Sequence, residues 1–272
     1  MHLNLNLAGG LEASDWPIAV IFFVFGLIFG SFATVVSWRV PRSESIGGRS
    51  KCPNCGHQIK AAENIPVISY FVLGGKCANC GSKISIRYPL IELASGVLFV
   101  AALCRFGPSV KAGVYALFFW TLLVLTVIDL DHKLLPNKIT YPLFIAGWAG
   151  LALAAFVEDD PERLVDALIG MGIFAGFLFI VAFISPRGMG MGDVKLALTL
   201  GAFLGYIDAP GHVLLGMFLS FVLGGVIGIV IARTTGGGRK MQVPFGPFLM
   251  GGTLIAIFWG RAILDWYVGL SG

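Results

Sequence analysis

PIAVIFFVFGLIFGSFATVV, Pro17 to Val36, runs for 20 residues without an acid or a base before Trp38 and Arg39. About 20 apolar residues are what a helix needs to cross the hydrocarbon of a bilayer. A spanning backbone must also satisfy its own N–H and C=O groups, so the run is predicted as a transmembrane helix. Residues 1–15 hold no lysine or arginine and no small-residue cleavage site follows, which predicts a retained first span rather than a removable secretory signal. Further spans are predicted at 88–104, 112–129, 137–157, 164–184, 194–207, 212–232 and 244–268. The 194–207 run is short and carries Lys195, so the count is seven or eight, and about eight is the expected architecture.

Composition agrees. With 57% hydrophobic and 12% charged residues, the 272-residue chain reads as an all-α polytopic membrane protein, not as one or two soluble domains. A net charge of +4 is modest and argues for no nucleic-acid partner. Its placement sets topology instead. Between Arg39 and Arg87 stand eight basic residues, Arg39, Arg42, Arg49, Lys51, Lys60, Lys76, Lys83 and Arg87, against the two acids Glu44 and Glu63. That bias predicts a cytoplasmic segment, and alternation from it puts His132, Lys133, Lys138, Arg187, Lys195, Arg233, Arg239 and Lys240 on the same side. The acidic Glu158-Asp159-Asp160 loop falls outside. The expected organisation is a first transmembrane helix at 17–38, a cytoplasmic four-cysteine domain at 39–87 and a transmembrane helical catalytic domain at 88–268.

Cys52-Pro-Asn-Cys55 and Cys77-Ala-Asn-Cys80 are two C-x-x-C knuckles 21 residues apart, each followed by a glycine, Gly56 and Gly81. Four thiolates at this spacing can close a tetrahedral zinc site of zinc-ribbon type, and a cytoplasmic location disfavours the alternative of two disulfides. A four-sulfur shell leaves no open position for substrate, so the metal is expected to be structural. Cys104, within an apolar span, reads as a small buried hydrophobe.

Two acids stand where charge is costly: Asp193 in Gly190-Met-Gly-Asp193 and Asp129 in Ile128-Asp129-Leu-Asp131-His132. Ionisable groups at membrane depth face polar cavities and carry function. Two carboxylates in one site cannot both ionise cheaply, so one keeps a proton while the other activates water. Asp193 opens a helical run, where the dipole and Lys195 favour its ionised form; Asp129 closes one, which makes it the expected protonated member. Gly188, Gly190 and Gly192 leave the backbone before Asp193 open to unusual dihedrals and to close approach by an extended substrate. Asp193 also reads as an N-cap. Asp131 and His132 read as boundary polar residues, and Arg39 as topological charge. Glu92 should face the protein interior, with a role in holding substrate or methyl donor open to it. Pro244-Phe245-Gly246-Pro247 predicts a broken backbone at a span entrance.

Together these residues resemble bacterial type IV prepilin peptidases. The resemblance is carried by Gly190-x-Gly192-Asp193, the earlier Asp129 with Pro136 downstream, and the four-cysteine loop; Gly30-Ser31-Phe32 through Arg39-Val40-Pro41, Arg87-Tyr88-Pro89 with Glu92, and Pro244 to Pro247 support it. It implies a Gly-x-Gly-Asp aspartic peptidase of the bacterial inner membrane, with Asp129 and Asp193 as catalytic aspartates and its active site on the cytoplasmic side. Its partners would be prepilin or pseudopilin substrates and membrane lipids. It also implies N-methylation of the exposed amine with S-adenosylmethionine, for which no residues are assigned; Gly188-x-Gly190-x-Gly192 lacks the strand-turn-helix context of a nucleotide loop. A transporter using buried carboxylates is the alternative, but it leaves the cysteine module unexplained. A tethered binding protein leaves the aspartates unexplained, and a zinc metalloprotease lacks His-Glu-x-x-His.

Overall fold

A computed structural model of the chain describes residues 15–185, 189–234 and 244–271. The stretch before Asp15, with Arg187, Gly188, Arg239 and Lys240, lies outside the described residues. The described chain is helical: α1 (Trp16–Arg39), a short α2 (Ile68–Val72), α3 (Arg87–Phe106), α4 (Val110–His132), α5 (Asn137–Val157), α6 (Glu162–Ile184), α7 (Met191–Ile207), α8 (Gly211–Thr234) and α9 (Gly246–Ser271). Seven of these, all but α2 and α7, are long and apolar enough to cross a membrane, which makes the chain a multi-pass membrane protein. Local chemistry sets the helix ends. Gly107 stops α3 at a φ of 69°, where a side chain would be strained. Ser109 then caps α4, its hydroxyl accepting from the Ala112 N–H at 3.2 Å.

The described residues divide into two compact units, one on either side of the Val124–Leu125 link. The division falls inside α4. In the first unit α1 lies against α3 through small residues. A Cβ on Gly26 would stand 2.7 Å from the Gly96 Cα, and one on Gly30 would stand 2.5 Å from the Glu92 Cα. Such spacing lets two backbones approach where lipid offers no hydrophobic drive to associate. Trp120 fastens α4 to the same helix, donating to the Phe29 carbonyl at 2.7 Å and stacking on Phe32. Val20, Phe25 and Ile28 remain exposed, an apolar surface suited to lipid.

In the second unit α7 is the central element, packed against α5, α6, α8 and α9. Eleven of its 17 residues are buried. Gly170 of α6 meets Gly201 and Gly205 of α7 backbone to backbone, and Gly205 also faces the Asp166 carbonyl. Beyond them the Arg163 guanidinium donates to the Ile207 carbonyl at 2.6 Å, satisfying an orphan acceptor at the end of α7.

Candidate active site and metal centre

Asp129 lies in the last turn of α4 and is only 4% exposed. A buried carboxylate needs donors, and the one it finds is the N–H of Gly246, the first residue of α9, at 3.1 Å. The first N–H groups of a helix have no intrahelical acceptor, so the acid fills an orphan position while the positive end of α9 faces it. A Cβ on Gly246 would stand 2.5 Å from the Asp129 Oδ2, so any side chain there would displace the carboxylate. One turn earlier on α4, Thr126 donates to the Met250 sulfur at 3.1 Å, a second tie between the two helices.

Asp193 stands at the third position of α7, with Gly190 as N-cap. The N-cap reading of Asp193 therefore shifts by three residues. Its carboxylate accepts from the Gly190 N–H at 3.3 Å, which folds Gly-x-Gly-Asp back on itself. Neither Gly190 nor Gly192 adopts a positive φ, so the expected unusual dihedrals are not used at either. Close approach is. A Cβ on Gly192 would stand 3.2 Å from the Leu135 Cβ, in the link that follows α4. That contact sets the link after Asp129 against the turn that carries Asp193, 64 positions further along the sequence.

The carboxyl end of α4 and the amino end of α9 meet at the Asp129 carboxylate and act on its charge in opposite senses. Lys195 does not serve Asp193; it donates to the Asn137 Oδ1 at 3.0 Å and lies over the Tyr141 ring of α5. Asp131 is exposed, and two positions from Asp129 it points to a different helix face. The Gly246 N–H escaped the sequence because a backbone donor has no side-chain signature; the Pro-Phe-Gly-Pro break was its only signal.

In the first unit the four cysteine sulfurs lie within 4.8 Å of one another, with Cys52 to Cys80 at 3.9 Å and Cys55 to Cys77 at 4.0 Å. Zn–S bonds of about 2.3 Å in a tetrahedron place sulfurs about 3.8 Å apart, so the donor set fits zinc in number and spacing. These separations are far beyond a disulfide bond, and all four thiols are free. Each knuckle repeats one backbone design: Gly56 (φ 70°) donates to the Cys52 carbonyl and Gly81 (φ 69°) to the Cys77 carbonyl, both at 2.9 Å. Cys55 and Asn54 backbone N–H groups turned to the Cys52 sulfur push its pKa down to about 6, which favours the thiolate. Cys104 is half-buried and apart from this cluster.

Arg39 and Glu92 have structural partners. The Arg39 guanidinium binds the carbonyls of Ser45 (3.1 Å), Gly47 (2.6 Å) and Arg49 (3.4 Å), shaping the loop into the cysteine module. Glu92 accepts from the Val67 N–H at 2.7 Å, with Ser31 as a second partner.

Comparison with known proteins places these features in context. A family model described as the bacterial peptidase A24 N-terminal domain matches residues 24–106, and one described as the type IV leader peptidase family matches residues 116–229. Similar proteins include the prepilin leader peptidase/N-methyltransferase of Pseudomonas aeruginosa, 33% identical over 94% of this chain and 96% of that protein. Those of Stutzerimonas stutzeri and Aeromonas hydrophila are each 36% identical, the first over 93% of this chain and 95% of its own, the second over 98% and 99%. No solved structure matches the chain.

Proposed function

The chain belongs to the type IV leader peptidase family, and from that premise we propose that Asp129 and Asp193 form its catalytic dyad. The protein is a membrane peptidase that removes the leader of type IV prepilins or pseudopilins and methylates the new terminal amine. The observation that carries the dyad is the buried Asp129, oriented by the Gly246 N–H, with the link that follows it packed through Leu135 against Gly192 beside Asp193. One carboxylate, ionised, takes a proton from the water attacking the scissile carbonyl; the other, protonated, polarises that carbonyl, and a proton passes to the leaving amine. Gly190 and Gly246 N–H groups fix the two acids before substrate arrives, so orientation is not lost to side-chain freedom.

Cys52, Cys55, Cys77 and Cys80 hold a structural zinc ion in this reading, supported by sulfur spacing. The methyl donor is S-adenosylmethionine, supported by the relatives' names, and no residues are assigned to it. The basic bias of 39–87 supports an inner-membrane protein with this module and the dyad on the cytoplasmic side, in contact with lipid along 17–38 and 88–268. No observation favours the transporter alternative.

The test is cleavage of a prepilin-type substrate in membranes by wild type, Asp129→Asn and Asp193→Asn. Each variant should lose at least about a thousandfold in kcat, since the members of a catalytic unit act together. Full processing by both variants would remove the dyad.

A further inference from the structure

The Gly246 N–H reaches Asp129 only if α9 begins at a fixed place, and an aromatic ring holds that place. Phe245 immediately precedes α9, and its carbonyl accepts from the N–H groups of Phe248 at 3.0 Å and Leu249 at 3.2 Å, closing the first turn. Its ring lies 5.2 Å from that of Phe221 on α8, which meets Phe177 of α6 edge-on at 5.7 Å. Gly224, one turn along α8 from Phe221, leaves the notch in which the ring sits: a Cβ there would stand 2.9 Å from the Phe245 Cε2. Two glycines thus flank the start of α9. Gly224 makes room for the ring, and Gly246 makes room for the carboxylate.

We propose that Phe245 is a positioning residue for the peptidase reaction: seated in the Gly224 notch, it anchors the amino end of α9 so that the Gly246 N–H orients Asp129. The inference rests on the reading of Asp129 as catalytic. Phe245 brings no donor or acceptor of its own to the reacting atoms. It acts through the position of a backbone N–H, and a displacement of about 1 Å at a catalytic group costs about a hundredfold in rate.

The experiment measures kcat and KM on a prepilin-type substrate in proteoliposomes for Phe245→Ala, Gly224→Ala and the double variant Phe245→Leu/Gly224→Ala, with Asp129→Asn alongside and thermal unfolding midpoints recorded. Phe245→Ala is expected to lower kcat about ten- to a hundredfold with KM changed less than about twofold, because transition-state orientation is lost and substrate binding is not. Gly224→Ala, which pushes the ring, should lower kcat in the same way. The double variant should recover part of that loss, since the smaller leucine accommodates the added methyl. An unchanged kcat in Phe245→Ala, a rise in KM at constant kcat, or a double variant no better than Gly224→Ala would each overturn the proposal. Asp129→Asn with full activity would instead remove the reading on which it rests.

Discussion

Val67 has a φ of 62° and a ψ of −50°, an unusual conformation for a β-branched residue. The Ile68 N–H closes a three-residue turn onto the Pro66 carbonyl at 2.6 Å, and the Val67 N–H points out of that turn to the Glu92 carboxylate. Such backbone strain costs on the order of 1–3 kcal/mol, and a hydrogen bond to a charged acceptor contributes about 1.5–3 kcal/mol, so Glu92 is of the right size to offset it. Glu92→Leu should therefore destabilise the protein by about 1.5–3 kcal/mol in detergent unfolding. Val67→Gly, which tolerates positive φ, should restore part of that stability in the Glu92→Leu background. If Glu92 instead holds substrate or methyl donor, activity will be lost without a stability change and Val67→Gly will restore nothing. The sequence singled out Glu92 through the cost of burying charge; its partner, a backbone N–H 25 positions earlier, carries no signal of its own.

At the scale of elements, the cysteine module shows which parts of the structure the sequence can specify. The knuckles were legible because Cys-x-x-Cys-Gly encodes its own turn, and Gly56 and Gly81 adopt the positive φ that spacing alone demands. The helices were legible for a similar reason: an apolar run of sufficient length has one stable solution in lipid. The two acids stood out in the sequence because burying charge is costly, whereas their surroundings did not, since these depend on α9 arriving beside α4 and on Leu135 packing against Gly192. The module has two isolated bridges, one 3-10 turn and the short α2, and Cys52 is its one buried residue between 41 and 87, so it has little apolar core of its own. Zinc should then supply much of its folding free energy. The purified protein is expected to contain about one zinc ion per chain, and Cys52→Ser or Cys77→Ser should lower both metal content and folded yield. Unchanged zinc and yield in both variants would show that the sulfurs do not form a structural site.

The whole molecule turns on whether α7 crosses the membrane. At about 1.5 Å per residue its 17 residues extend about 25 Å, short of the roughly 30 Å of hydrocarbon, which is why length alone excludes it. Its neighbours decide otherwise. Arg163 meets Ile207, Asp166 meets Gly205 and Gly170 meets Gly201, so position falls along α7 as it rises along α6. An antiparallel partner in continuous contact with a spanning helix returns across the same slab, and burial within protein frees it from matching the full lipid thickness. Eight crossings follow, with Asp208 at the end of the fold shared by Arg163 and Asp193 at the end shared by Ile184. Alkaline phosphatase, active only outside the inner membrane, can be inserted after Asp159, Ser185 or Asp208. Insertions at Asp159 and Asp208 should both be active and the one at Ser185 inactive, in line with the basic bias of the other loops. Activity at Asp159 with none at Asp208 would mean that α7 turns back without crossing, and seven spans would be the correct count.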